Sequence, residues 1–448
     1  MKTITVQKLV SAVRGELLQG GAESFDAVST DSRSVPDGAL FIPIVGETFD
    51  GHSFIDKALA AGAAGCLCAK VPEALQAGKF YVKVADTTVA YKDLAAWYRA
   101  QFDIPVVQVT GSVGKTTTKE MIASVLSQRY KTLKTEANYN NEIGTPMTLL
   151  RLDDSYEAAV IETGMDRAGQ IRYLGEMVKP TVAVITNIGD MHIEYLGSRE
   201  GIFRAKCEIF ENLAADGVAG LNGDDEWLNR VCLPQEIVTA GTMPHCAARV
   251  EDIADHGIDG ISCVVYTAKA RYQLQIPAPG THMVYPASIA VSIGEALGLR
   301  VDEIVRGVAA YEPAGARMRV VRLPDSRRLL DDCYNAGPQS MRAALEVLAR
   351  SEGNTAAVLG DMAELGELTV EAHREMGALA KELGVGRVIA VGSKAKDIAD
   401  AANGEWFATV DEALPAIRAA FTPDTAMLVK ASHSMHFEKI TQELTKES

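Results

Sequence analysis

Residues 104–121 read IPVVQVTGSVGKTTTKEM, and no other stretch restricts the possible folds so tightly. A β-branched run over 106–109 stops at a glycine-rich turn carrying Lys115 and three threonines, and a helical pattern starts near Thr116. Strand, loop and helix in that order suit a cradle for nucleotide phosphates. Gly111 and Gly114 keep Cβ atoms away from the backbone N–H groups, with Ser112 and Val113 between them and Thr117 just beyond. Lys115 supplies a positive charge, and the hydroxyl of Thr116 can ligate Mg²⁺. The G-x-x-x-x-G-K-[ST] consensus fails at Val109, five positions before Gly114, which leaves the tighter T-G-x-x-G-K-T-T. A glycine-rich turn with a solvated lysine would look the same locally, so the rest of the chain must discriminate.

At 448 residues the chain exceeds one ordinary core, and a prior of about 150 residues per domain suggests three. The formal charge of −15 argues against a nucleic-acid partner, so an anionic substrate must meet a local basic site. Seven cysteines without C-x-x-C spacing indicate buried thiols in a reducing compartment, with no disulfide framework and no zinc site. Lys8, Arg14 and Glu16 interrupt any signal-peptide core, and no apolar run reaches roughly 18 residues. A cytoplasmic protein without membrane insertion is expected.

Three segments follow from the patterning. Residues 1–95 carry a polar, glycine-containing cluster, in which 29–33 forms a turn, LFIPIVG a strand and 54–64 a helix; Arg33 with nearby hydroxyls suits a diphosphate or sugar, or equally a surface ion pair. Residues 96–312 alternate strand and helix, with AAVIE at 158–162, TVAVITN at 181–187 and a helix at 199–212. That alternation implies a mainly parallel sheet whose ligands gather at the carboxyl ends of its strands, bringing Thr110, Glu162 and Asn187 together. Residues 313–448 again read as doubly wound, without a phosphate loop of their own.

Glu162 ends a buried strand beside the phosphate loop, where a carboxylate is placed to bind Mg²⁺ or to cap a helix. His192 lies beyond a third strand end. Lys206 has apolar Phe203 and Ile209 three residues to either side, so its ammonium needs a partner or must lose its charge.

TGSVGKTTTKE, NNEIGTP, IETGMDRAGQI, TNIGDMHIEYLGS with downstream AKCEIF, and DDCYNAGPQSM followed by VLGDMAELGE resemble the Mur ligases, ATP-dependent amide-forming enzymes of peptidoglycan precursor synthesis. The resemblance covers nearly the whole chain in the right order. DDCYNAGPQSM is similar to the signature of the member that adds D-alanyl-D-alanine, and STDSR with GALFIPIVGETFDGH to its uridine-nucleotide-binding N-terminal domain. It implies a three-domain α/β enzyme: a small α/β domain for the UDP substrate, a central ATP-binding domain with a phosphate-loop parallel sheet, and a C-terminal Rossmann-like domain. The implied reaction joins UDP-N-acetylmuramoyl-tripeptide to D-alanyl-D-alanine through an acyl phosphate. A sibling ligase adding the third amino acid and a catalytically silent nucleotide binder are the alternatives.

The resemblance further implies roles. Lys115 would neutralise the β- and γ-phosphates of ATP. Thr116 would hold one Mg²⁺, and Glu162 and His192 a second. Lys206 would be carbamylated and orient the metal site. Asn141 would contact the phosphate region, Arg317 would reach the γ-phosphate from the third domain, Asp332 would bind ribose, and Tyr334 and Asn335 would wall the nucleotide. Ser32, Arg33 and Phe41 are candidates for the UDP moiety. A monomer is expected, and a site shared between domains implies closure. Departures are Pro286, where the family has an adenine-reading Asn, Gly337 in place of Asn, and Ala431 and His433 in place of Gly and Arg.

Overall fold

The computed structural model describes residues 1–46 and 48–446, and it is α/β throughout. The central nine-stranded sheet runs in the order Arg271–Ile276, Ile261–Tyr266, Ala248–Asp255, Glu236–Gly241, Val218–Asn222, Val182–Ile185, Val106–Thr110, Ala158–Glu162, Thr132–Lys134. Its strands are parallel as the alternation predicts, except that Ile261–Tyr266 and Arg271–Ile276 add as an antiparallel edge. After Val106–Thr110 the chain builds one flank and then crosses to Val182–Ile185 on the other. A topological switch point, where such sheets open a crevice, therefore lies at the end of Val106–Thr110.

Both faces of this sheet are covered. Val107 and Val109 point to the side of helices Lys115–Leu126 and Val284–Ala296, meeting Met121, Val125 and Ile293 in one core. Val106, Ala159 and Ile161 point to the other side, where helix Thr87–Arg99 contributes Tyr91, Leu94 and Tyr98. The same helix packs on Leu67, Phe80 and Val82 of the N-terminal sheet. It therefore spans the boundary expected near residue 96, and its two apolar faces make one continuous core of the first two sheets. At about 25 cal/mol per Å² of apolar surface removed from water, such burial is what holds the two units together.

The N-terminal five-stranded sheet joins Glu16–Gln19, Phe80–Lys83, Gly65–Cys68, Leu40–Phe41 and Val28–Ser29, with only the first antiparallel to its neighbour. The expected strand LFIPIVG is shorter than its apolar character suggested: only Leu40–Phe41 pairs, because Pro43 has no N–H to donate to a ladder. The helix expected over 54–64 is a 3₁₀ turn, Gly51–Phe54, running into a short α-helix, Ile55–Ala60. Likewise the helix expected over 199–212 is α-helical at Arg199–Cys207 and tightens to 3₁₀ over Glu208–Asn212.

The C-terminal sheet runs Arg319–Arg322, Arg328–Asp331, Thr425–Lys430, Asn354–Gly360, Arg387–Val391, Glu405–Phe407, parallel apart from the first strand. Helices Pro338–Ala349 and Thr369–Glu382 cover one face and Val410–Ala420 the other. No described helix is long and apolar enough to cross a membrane.

Candidate active site

A cavity of about 800 Å³ opens at the switch point, between the central sheet and the C-terminal sheet. Its floor is the phosphate loop. Gly111 has φ +154°, and a Cβ there would sit 1.8 Å from Thr186 Oγ1; Gly114 has φ +78°. Only glycine meets both conditions. Asn187 braces the loop: its Oδ1 accepts from Val113 N–H at 3.0 Å, and its carbonyl accepts from Ser112 N–H at 3.1 Å. Those two N–H groups are thus engaged, so Ser112 and Val113 shape the loop more than they offer donors. The unpaired donors are the first N–H groups of helix Lys115–Leu126, which by construction have no intrahelical acceptor and favour an anion. The Lys115 ammonium rests on the carbonyls of Gly111 (2.7 Å) and Ser112 (3.3 Å). Burial holds its pKa below the ordinary lysine value, and nearby Arg317 adds to the effect.

Glu162 ends its strand almost fully buried. Its Oε2 accepts from the Thr116 hydroxyl at 2.7 Å, and its Oε1 from Asn140 Nδ2 at 2.9 Å. The fully buried Lys119 lies 3.9 Å from the same carboxylate and also donates to Thr135 O at 2.7 Å. Asn141, expected to face the phosphates, lines the cavity but turns its Oδ1 back to the N–H groups of Ile143 and Gly144, starting the short helix Gly144–Leu149. Its neighbour Asn140 is the one that reaches Glu162.

Lys206 lies behind the lining on Arg199–Cys207, only 1% exposed, with no acceptor in hydrogen-bonding or ion-pair distance among the described residues. Burial, and secondarily the Lys115 charge, push its pKa well below the ordinary lysine value. Of the two outcomes expected for an ammonium there, the structure supports loss of charge. His192 lines the cavity with φ +66°, a left-handed conformation, and its Nδ1 approaches Glu364 Oε2 to 2.8 Å, off the direction of a well-aligned hydrogen bond.

The C-terminal sheet supplies the opposite wall. The Arg317 guanidinium stacks 3.9 Å from the centre of the Tyr334 ring. His433 packs on that ring at 5.4 Å, which accounts for an aromatic side chain at this position. Asp332 accepts from Met318 N–H at 3.0 Å and from the buried Lys430 at 2.6 Å, so a ribose hydroxyl would share an already occupied carboxylate. Asn335 accepts from Ala336 N–H and lines the cavity beside them. A Cβ on Gly337 would come 2.7 Å from Met191 Sδ, a reason for glycine in place of a larger residue. Pro286 also lines the cavity, next to Tyr285, whose hydroxyl donates to Asp224 at 3.1 Å.

Three candidates lie away from this cavity. Arg33 is 81% exposed and holds Asp31 through paired contacts at 2.8 and 2.9 Å, the surface ion pair that the sequence left open. The Phe41 ring is 1% exposed among Ile55, Ala58 and Tyr81, so it supports the sheet and presents no face to a ligand. Ser32 does not line the cavity either. Sequence reasoning missed Asn140, Lys119, Lys430 and Glu364. A lysine set among apolar neighbours, the signal read at Lys206, was also present in AMLVK for Lys430.

The donor chemistry suits a hard divalent cation: a carboxylate and a hydroxyl lie 2.7 Å apart beside a phosphate-binding helix end. No group of three or more His, Cys, Asp or Glu side chains forms a metal cluster among the described residues. A cation here would complete its shell with phosphate oxygens and water.

Comparison with known proteins agrees with this geometry. Residues 24–99 match the Mur ligase family catalytic domain, 109–294 the Mur ligase middle domain, and 316–433 the Mur ligase glutamate ligase domain. The chain is 36% identical to the UDP-N-acetylmuramoyl-tripeptide--D-alanyl-D-alanine ligase of Escherichia coli K12, covering 99% of each chain, and 34% identical to that of Bacillus subtilis 168, covering 98% of each. A crystal structure of MurF from Acinetobacter baumannii superposes with a TM-score of 0.93 at 32% identity, over 100% of this chain and 99% of that one. MurF from Thermotoga maritima in complex with ADP gives 0.83 at 26% identity, over 94% and 98%. By three family domains matched in order and relatives matched over nearly the full length, the chain belongs to the Mur ligase family.

Proposed function

We propose that this protein joins UDP-N-acetylmuramoyl-tripeptide to D-alanyl-D-alanine with hydrolysis of ATP to ADP and phosphate, as a step of cytoplasmic peptidoglycan precursor synthesis. The observation that carries the reading is the convergence, in one cavity, of Lys115 and Glu162 from the central sheet with Arg317 from the C-terminal side. Amide formation from a carboxylate in water is uphill. The tripeptide carboxylate oxygen therefore attacks the γ-phosphorus as the bond to ADP breaks, giving an acyl phosphate. The dipeptide nitrogen then attacks the acyl carbon, and phosphate leaves with its oxygen from the former carboxylate.

Lys115 and the helix end beneath it hold the β- and γ-phosphates, and Arg317, kept rigid by its stacking on Tyr334, meets the charge that builds up on the transferring group. Thr116 would hold one Mg²⁺ and Glu162 with His192 a second; such ions, when bound, neutralise phosphate charge and favour approach of the acceptor carboxylate to the γ-phosphate. Asn140 orients the Glu162 carboxylate by a hydrogen bond, and the Lys119 charge lies 3.9 Å from it. Lys206, as a neutral amine, adds CO₂: a nitrogen–carbon bond forms, one proton goes to solvent, and the buried amine becomes a carbamate carboxylate. Its burial without a partner supports that modification.

The test uses ¹⁸O in the terminal carboxylate of the tripeptide. Ligation should deliver one labelled oxygen to inorganic phosphate, and phosphate release should require the dipeptide. Label-free phosphate would exclude the acyl phosphate. Product formed with a free diamino acid, and none with D-alanyl-D-alanine, would assign the chain to a sibling reaction.

A further inference from the structure

Strand Asn354–Gly360 of the C-terminal sheet is followed by a loop that reaches across to the central unit. Glu364 on this loop adopts φ +61°, and the His192 it faces adopts φ +66°. Two non-glycine residues in the left-handed region, opposed across one interface, is an arrangement that ordinary packing does not favour, and such backbone is maintained where the surroundings fix it. The loop is fixed. Met362 N–H donates to the buried His373 Nε2 at 2.9 Å, and Ala363 N–H donates to Ser432 Oγ at 2.9 Å. The two units also approach closely nearby, where a Cβ on Gly189 would come 2.5 Å from Gln339 Oε1.

We propose that Glu364 is a positioning residue for His192, supplied by the C-terminal unit only when the two units are closed. Its carboxylate lies 2.8 Å from Nδ1, which leaves Nε2 as the ring nitrogen for a cation. Imidazoles that bind metal commonly direct their other nitrogen to a carboxylate, which fixes ring orientation and raises basicity. Here that carboxylate lies on a different sheet, 172 residues along the chain from the histidine it serves. Cation binding and closure then share one free energy, and each favours the other. This rests on the assignment of His192 to the metal site in the reading above.

The experiment is a double-mutant cycle on the full chain. Mn²⁺ is titrated in the presence of ADP, with free Mn²⁺ read by electron paramagnetic resonance, for wild type, Glu364→Gln, His192→Ala and the double variant. Glu364→Gln should weaken Mn²⁺ binding by about tenfold or more, and the double variant should bind no more weakly than His192→Ala. Binding by Glu364→Gln within twofold of wild type, or losses that multiply in the double variant, would overturn the proposal. Thermal melting establishes that each variant is folded, and Glu364→Ala, on the same half-exposed loop, repeats the cycle independently. Failure of the ligase reading appears separately, as wild-type protein that releases no labelled phosphate.

Discussion

Replacing Asn140 with Ala separates the two adjacent asparagines by their geometry. Asn140 Nδ2 donates to one oxygen of Glu162 at 2.9 Å, and that carboxylate is 1% exposed. A hydrogen bond to a charged group contributes roughly 1.5–3 kcal/mol. Each 1.36 kcal/mol of lost transition-state stabilisation is tenfold in rate, so the full loss corresponds to roughly 10- to 150-fold in kcat. Asn140 itself is half-buried at the cavity edge, where water can replace part of its bond, which places the expected loss near tenfold. Asn141→Ala should instead remove acceptors for two N–H groups at the start of Gly144–Leu149, costing about 0.5–2 kcal/mol of stability with a smaller loss of rate. Phosphate release at saturating substrates, with thermal melting alongside, measures both. A rate for Asn140→Ala within twofold of wild type, or a larger rate loss for Asn141→Ala, would refute the reasoning.

Lys206→Ala should abolish turnover, and added short carboxylic acids should partly restore it if the carbamate acts only as a carboxylate; absence of rescue removes that account. Wild-type activity should also fall in CO₂-depleted buffer and return with bicarbonate. His373 sits buried with Nε2 accepting from Met362 N–H and its Nδ1 2.6 Å from Thr369 O, and burial lowers its pKa below the ordinary 6.5. The unfolded chain then binds more protons than the native one, so this contribution is present above pH 6.5 and is lost as pH falls through the lowered native value. Melting temperature should therefore drop on acidification below pH 6.5, and His373→Gln should be less stable at pH 7.5 by about 1 kcal/mol with a flatter acid limb; an unchanged acid limb counts against it.

Much of the site was legible because phosphate binding imposes local rules. A turn that needs glycine at two positions, a lysine at a helix start and a carboxylate at a neighbouring strand end are all consequences of short-range geometry, and Gly111, Gly114, Lys115 and Glu162 lie where those rules put them. The alternation of strand and helix likewise fixed a mainly parallel sheet, since each buried strand needs helices on both faces. The antiparallel edge at 261–276 escaped notice because it adds to the sheet without changing the pattern that precedes it.

What the tertiary structure alone decided are the choices between near-equivalent residues and the pairings between distant ones. Local pattern treats Asn140 and Asn141 alike, and only the path of the chain turns one to Glu162 and the other to its own backbone. An aromatic beside a turn reads the same whether its ring is open or, as for Phe41, enclosed. Glu364 and His192 have no relation in sequence; packing of two separate sheets sets them 2.8 Å apart. Chemistry confined to one turn is written in the order of residues, whereas charge partners drawn from different folding units exist only once those units have packed together.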